Sequence, residues 1–223
     1  MRVNILLEGF DIDAPWLYGE LKKYIKPNHS VAVLAFAFRE NRVKSPADWD
    51  ALYSKENGMY YGGIVGGFAA YGIPEERITF VNYFADTGEP AARKMEAADI
   101  LYFLGGLPDR MMNRIKEFRL YDVLMKHKGI LMGYSAGAVI QLAEYYLAPD
   151  EDYPEFQYFE GLPYLDKFYV QVHYTGTAAQ DTAIARALAE RGKTVYATAF
   201  KRGAILVDDG NVKLLGDVRM FGK

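Results

Sequence analysis

Gly129-Ile130-Leu131-Met132-Gly133-Tyr134-Ser135-Ala136-Gly137-Ala138 is the stretch that decides how this chain is read. The apolar run Gly129 to Gly133 has the length and character of a strand covered on both faces. It leads straight into Ser135 and a segment patterned as a helix from Ala136 to about Tyr146. Small residues crowd the junction, with Gly133 and Gly137 flanking the serine and Ala136 and Ala138 beside it. A strand-turn-helix junction of this kind is a nucleophile elbow: the turn is tight, its neighbours must be small, and the serine Oγ projects from the carboxyl edge of the sheet. Free N–H groups and the dipole at a helix start would favour developing negative charge there. Ser135 is therefore the candidate nucleophile, and the N–H of Ala136 the first candidate oxyanion donor. Serine is also a favoured N-cap, so the placement after an apolar strand is what carries the functional reading.

Working outward, short apolar runs alternate with longer helix-patterned segments. Val3 to Leu7, Val31 to Phe38, Ile78 to Val81 and Ile100 to Leu104 read as strands that precede the elbow strand. Ala14 to Ile25, a stretch from about Asp48 that becomes glycine-rich between Tyr60 and Tyr71, Glu89 to Ala98, and Arg110 to Lys126 read as the intervening helices. This rhythm predicts an α/β fold: a doubly wound, mainly parallel sheet with right-handed crossovers and helices on both faces. Beyond the elbow, Ala148 to Leu165 is acidic and aromatic and reads as a long loop with short strands. Phe168 to Val172 and Thr194 to Thr198 read as strands around a helix from Thr177 to Arg191. Ala204 to Val207 and Val212 to Leu215, joined by Asp208-Asp209-Gly210-Asn211, predict a C-terminal hairpin. No repeat, linker or low-complexity segment interrupts residues 1–223, so a single domain is the simplest expectation.

Composition narrows the function classes. With 51% hydrophobic and 25% charged residues, the 223-residue chain can bury a sizeable core. A net charge of −3 gives no electrostatic footprint for nucleic acid or an anionic membrane. The absence of cysteine excludes disulfides, thiolate metal sites and a cysteine nucleophile. The first residues lack the apolar core of a signal peptide, and no apolar run approaches the ~20 residues that span a bilayer. A cytoplasmic protein is the expectation. Eighteen tyrosines and 13 phenylalanines mainly supply packing area, and any left exposed would make a homodimer unsurprising.

A serine nucleophile needs a base, and the chain holds three histidines. His29 sits in a polar turn and His127 at a helix end beside Lys126 and Lys128. His173 ends the strand Phe168 to Val172, at the kind of sheet edge where doubly wound folds build sites. Elimination favours His173. A second oxyanion donor is expected from Gly105-Gly106-Leu107, because paired glycines let backbone approach a ligand closely.

These residues together resemble the peptidase E and cyanophycinase group of serine peptidases, whose sheet is akin to that of the class I glutamine amidotransferases. The segment Gly133 to Ala138 is similar to that group's G-W/T-S-A-G-A/S elbow, and Leu101 to Gly106 to its strand ending in a Gly-Gly-Gly-Asn loop. His173 follows Ser135 by 38 residues, close to the group's serine-to-histidine interval. The resemblance implies a catalytic role for Asp150, which stands at the interval from the serine where peptidase E carries a functional aspartate. It also implies a substrate-binding position at Gln180, where peptidase E has an arginine for an N-terminal aspartate; aspartyl specificity is thus not implied. Three departures stand out: Leu107 and Pro108 replace the third Gly and the Asn, and Lys201-Arg202-Gly203 occupies the place of the group's late carboxylate. Asp152 and Glu160 are further acids that could orient the histidine.

The resulting expectation is a serine-type hydrolase that cleaves small peptides or related amides through an acyl-enzyme on Ser135. His173 would be its base, Gly106, Leu107 and Ala136 its oxyanion donors, and neither metal nor cofactor is called for. A non-catalytic binding protein on the same fold is the alternative. An α/β-hydrolase esterase is a weaker one, since that fold places its histidine near the C-terminus and residues 174–223 contain none.

Overall fold

The computed structural model of the chain describes residues 2–222. Five parallel strands form the centre of the sheet: β1 (Val3–Leu7), β2 (Val31–Leu34), β3 (Ile78–Val81), β4 (Ile100–Phe103) and β5 (Ile130–Tyr134). They lie in the order β1-β5-β4-β2-β3. Each is apolar along nearly its whole length because both faces are covered, and the two-residue side-chain period splits it between two cores. Leu6, Leu34, Phe103 and Leu131 face one core; Ile5, Val33, Tyr102 and Met132 face the other. Helices α1 (Pro15–Leu21), α2 (Pro46–Tyr53) and α3 (Tyr61–Ala69) cover the second core through Leu17, Trp49 and Phe68. The first is covered by α4 (Glu89–Glu96), α5 (Pro108–Glu117), α6 (Tyr121–Lys126) and α7 (Ala136–Val139), through residues such as Met95, Ile115 and Leu124.

The rest of the sheet is built differently. A two-stranded ribbon pairs β6 (Glu144–Leu147) with β7 (Gln157–Glu160). Then come β8 (Phe168–Tyr174), α8 (Ala178–Arg191), and a long hairpin of β9 (Thr194–Asp208) and β10 (Asn211–Phe221). The hairpin turns on Asp209 and Gly210, both at positive φ, as a two-residue turn matched to strand twist requires. In its first half β9 pairs in parallel with β8; in its second half it pairs antiparallel with β1. Between the halves Lys201 takes φ 64°, and the register against β10 slips between Gly216 and Val218. One strand thus ties β8 to β1. No helix among the described residues is long and apolar enough to cross a membrane.

The doubly wound architecture and C-terminal hairpin agree with the sequence reading, and four boundaries are corrected. The glycine-rich stretch is a separate helix, since α2 ends at Tyr53 and α3 begins only at Tyr61. The helix expected from Arg110 to Lys126 is two, broken where Arg119 adopts φ 55°. The hairpin strands run much further than their apolar runs, because backbone pairing continues through exposed residues. The helix after the elbow lasts one turn. The buried Gln141 amide donates to Gly137 O at 3.0 Å and accepts from Asn4 Nδ2 at 3.0 Å, and the backbone of Ile140 and Gln141 turns to pair with Leu162 and Leu165.

Candidate active site

The carboxyl ends of β1, β4 and β5 meet at one edge of the sheet, as adjacent parallel strands must. Register then fixes the neighbours. Leu7 of β1 lies opposite Tyr134 of β5, and the Ser135 N–H donates to Leu7 O at 3.0 Å, so Glu8 comes out beside Ser135. Ser135 holds φ 51° and ψ −114°, a conformation costly for a residue with a side chain. Its glycines make this turn possible: a Cβ on Gly133 would overlap Gly137 O, and one on Gly137 would overlap Phe103 O.

His173 arrives from β8, which shares with β1 the edge of β9 that faces away from β10. A bulge interrupts the pairing of β8 with β9 between Gln171 and Tyr174, and within it His173 takes φ 54°. Such a bulge re-aims a side chain. Here it points the imidazole at the elbow, with Nε2 2.7 Å from Ser135 Oγ. Nδ1 meets Glu8 Oε1 in a short hydrogen bond. Glu8 is only 2% exposed, whereas the imidazole is partly open to solvent. A carboxylate only accepts, so the Nδ1–H donates to Glu8 and the Nε2 lone pair faces the serine hydroxyl. That tautomer can take a proton from Ser135. Glu8 is held in turn by its own N–H, which donates to Gly203 O of β9 at 3.0 Å.

Glu8 is the carboxylate beside His173 that the sequence reading missed. A glutamate ending an apolar strand looks like a strand terminator, and only the adjacency of β1 to the elbow strand marks it. Asp150 does not join the group: its carboxylate closes a turn by accepting from the N–H groups of Asp152 and Tyr153 at 2.9 and 2.8 Å. Asp152 pairs with Arg39, which holds its carboxyl below the usual range, and Glu160 lies exposed on β7. The bases Lys201 and Arg202 therefore leave no gap, since the imidazole finds its carboxylate just past the end of β1, beside β9.

The donor positions also need correction. The Leu107 N–H is committed to Ala37 O at 2.7 Å and is not free for an oxyanion. Gly106 N–H has no acceptor among the described residues, and neither has Ala136 N–H. Gly106 sits at φ 137°, and a Cβ there would overlap Ala37 O. Because α7 is a single turn, individual N–H groups rather than a long helix dipole are what the elbow presents. The Gln180 side chain is committed to neighbouring backbone. Its Nε2 donates to His173 O at 2.8 Å, and its Oε1 accepts from Thr175 N at 3.0 Å and Thr177 N at 3.4 Å. It steadies the backbone that carries His173. Of the other histidines, His29 Nδ1 accepts from Lys26 N, and burial pushes the His127 imidazole down in pKa.

Ser135, His173 and Glu8 open onto a cleft of about 250 Å³ that also takes in Gly106, Phe10 and Phe200. Among the described residues, no group of three or more His, Asp or Glu side chains is arranged to hold a metal ion. No curated protein matches this chain. Several solved structures share its fold, two of them closely enough to compare along the whole chain. One, from Listeria monocytogenes EGD-e and provisionally named a peptidase E protein, aligns with a TM-score of 0.67 and 16% identity over 97% of this chain and 99% of its own. The other, a peptidase from an acI-B1 Actinobacterium, aligns with a TM-score of 0.64 and 13% identity over 100% of this chain and 94% of its own. The family model of peptidase family S51 matches residues 59–215, which include Gly106, Ser135 and His173. The protein belongs to peptidase family S51.

Proposed function

We propose that the protein is a serine-type peptidase acting on small peptides or related amides, with Ser135 as nucleophile, His173 as general base and Glu8 as the acid that orients and supports the imidazole. The observation that carries this reading is the continuous chain of contacts from Ser135 Oγ through the imidazole to a buried carboxylate. Ser135 Oγ attacks the carbonyl carbon while His173 Nε2 takes its proton. The imidazolium so formed is stabilised by Glu8, which accepts from its Nδ1–H. The N–H groups of Ala136 and Gly106 hold the oxyanion. As the tetrahedral intermediate collapses, the scissile C–N bond breaks and His173 returns its proton to the departing amine. A water molecule then gives a proton to His173 and attacks the acyl-ester, releasing the acid and restoring the Ser135 hydroxyl.

The alternative of a non-catalytic binding protein rested on the altered oxyanion loop and the bases at 201–202. The pairing of His173 with Glu8 and the free Gly106 N–H argue for catalysis instead. A fluorophosphonate probe tests the proposal. Labelling confined to Ser135, abolished by Ser135→Ala and strongly slowed by His173→Ala, is the expected result. Absence of labelling in folded protein would overturn it.

A further inference from the structure

The walls of the cleft carry information about substrate that the reacting groups do not. Four aromatic side chains line it: Phe10, Trp16, Tyr134 and Phe200. Two of them are unusually open, with Phe10 49% and Phe200 55% exposed. Water-exposed aromatic faces in a concavity mark a place built to be covered. The aromatics are arranged around the chemistry. Phe200 meets the His173 ring edge-on at 6.0 Å, and Phe10 lies 6.1 Å from Tyr134, the residue before the nucleophile. Tyr134 in turn lies against Gly105, where a Cβ would collide with its ring.

Charge is sparse on these walls. Besides Glu8, which is engaged with His173, the charged groups are Asp11 and Lys201, one of each sign and both exposed. Lys201 Nζ lies 5.3 Å from the centre of the Phe200 ring, and no arginine lines the cleft. An acidic substrate side chain would shed its water against aromatic carbon, with a single exposed ammonium, Lys201, to receive it and Asp11 of like charge on the same walls, which is unfavourable. A large apolar side chain would instead cover Phe10 and Phe200 and be covered by them.

We infer that this cleft is a subsite for a large apolar or aromatic residue flanking the scissile bond, with Phe10 and Phe200 as the residues that determine specificity. The inference rests on the serine-peptidase reading above. The test uses two matched sets of short peptides in which the residue on one side or the other of the scissile bond is Phe, Leu, Ala or Asp. At one of the two positions kcat/KM should be about 10- to 100-fold higher for Phe or Leu than for Ala, with Asp below Ala. In Phe10→Ala and Phe200→Ala that preference ratio should fall toward one; Phe10 touches no reacting group, so its variant reads the subsite alone. Equal or better turnover of Asp at both positions, or a Phe preference that survives both truncations, would overturn the inference. Fluorophosphonate labelling of Ser135 in the same preparations separates the two levels. Labelled enzyme without the apolar preference sinks only the subsite, whereas unlabelled enzyme sinks the peptidase reading and the subsite with it.

Discussion

Glu8 and His173, 165 residues apart in sequence, share a short hydrogen bond between a buried carboxylate and the inner nitrogen of an imidazole. The contact depends on β1 ending beside the elbow and on a bulge turning β8 toward it. Replacing Glu8 by the isosteric Gln presents an amide that can favour the wrong imidazole tautomer. In Glu8→Gln, kcat should fall by on the order of 10⁴-fold with KM little changed, the pattern expected when a triad acid is lost. Asp150→Asn keeps its turn and should leave kcat at the parental value. Steady-state kinetics on a cleaved peptide distinguishes the two acids.

Gly106 joins a backbone conformation that favours glycine to a free N–H beside the nucleophile. Gly106→Ala drives a methyl group toward Ala37 O, displaces the loop and withdraws one oxyanion donor. The expected loss is about 10²- to 10³-fold in kcat. Circular dichroism and thermal unfolding check that the fold persists.

The elbow glycines are tested through stability. A Cβ on Gly137 has backbone oxygen of β4 in its way, so relaxation must move the sheet or the turn. Gly137→Ala should cost about 1–3 kcal/mol, measured by urea unfolding of the Ser135→Ala background and its double variant.

Gln180 is a positioning residue, since its amide spans His173 O and the N–H groups of Thr175 and Thr177. Gln180→Ala should lower kcat by up to about 10²-fold through a displaced imidazole and leave the ranking of substrates untouched. An altered preference among peptides, with kcat intact, would instead mean that the side chain contacts substrate.

Away from the site, Glu144 links β6 to α8 by accepting from Arg191 at 2.9 Å, and it also meets the Tyr169 hydroxyl. Arg191 first, and Tyr169 with it, hold the carboxyl below the usual glutamate range. A pKa depressed by folding gives stability that is present above the unfolded-state value and lost as pH falls through the folded-state value. Glu144→Gln should therefore unfold at a lower temperature than the parent at neutral pH, and the two melting curves should converge in acid.

Much of this architecture is written locally. Continuous apolar strands such as Val31 to Leu34, and the small residues around Ser135, announce themselves because burial and sterics act on neighbours in sequence. The break at Arg119 and the one-turn α7 leave no such trace; both are imposed by packing and by Gln141, whose partners Asn4 and Ile5 lie far away in sequence. The meeting of Ser135 with His173 was legible because an elbow and a scarce residue type narrow the choice. Glu8 was not, since its role exists only through strand order. Asp150 and Gln180 were drawn from the spacing of a related group, and spacing says nothing of where a side chain points.

The bend of β9 separates two duties that a single strand might have combined. With the imidazole's carboxylate partner supplied next to β1, residues 200–202 need not provide one, and Phe200 and Lys201 stand on the rim of the cleft instead. Under the proposed mechanism, variation at that corner would retune which peptides are accepted while the contacts from Ser135 to Glu8 stay intact. On the proposed mechanism, substrate range and turnover rate would then be independently adjustable traits.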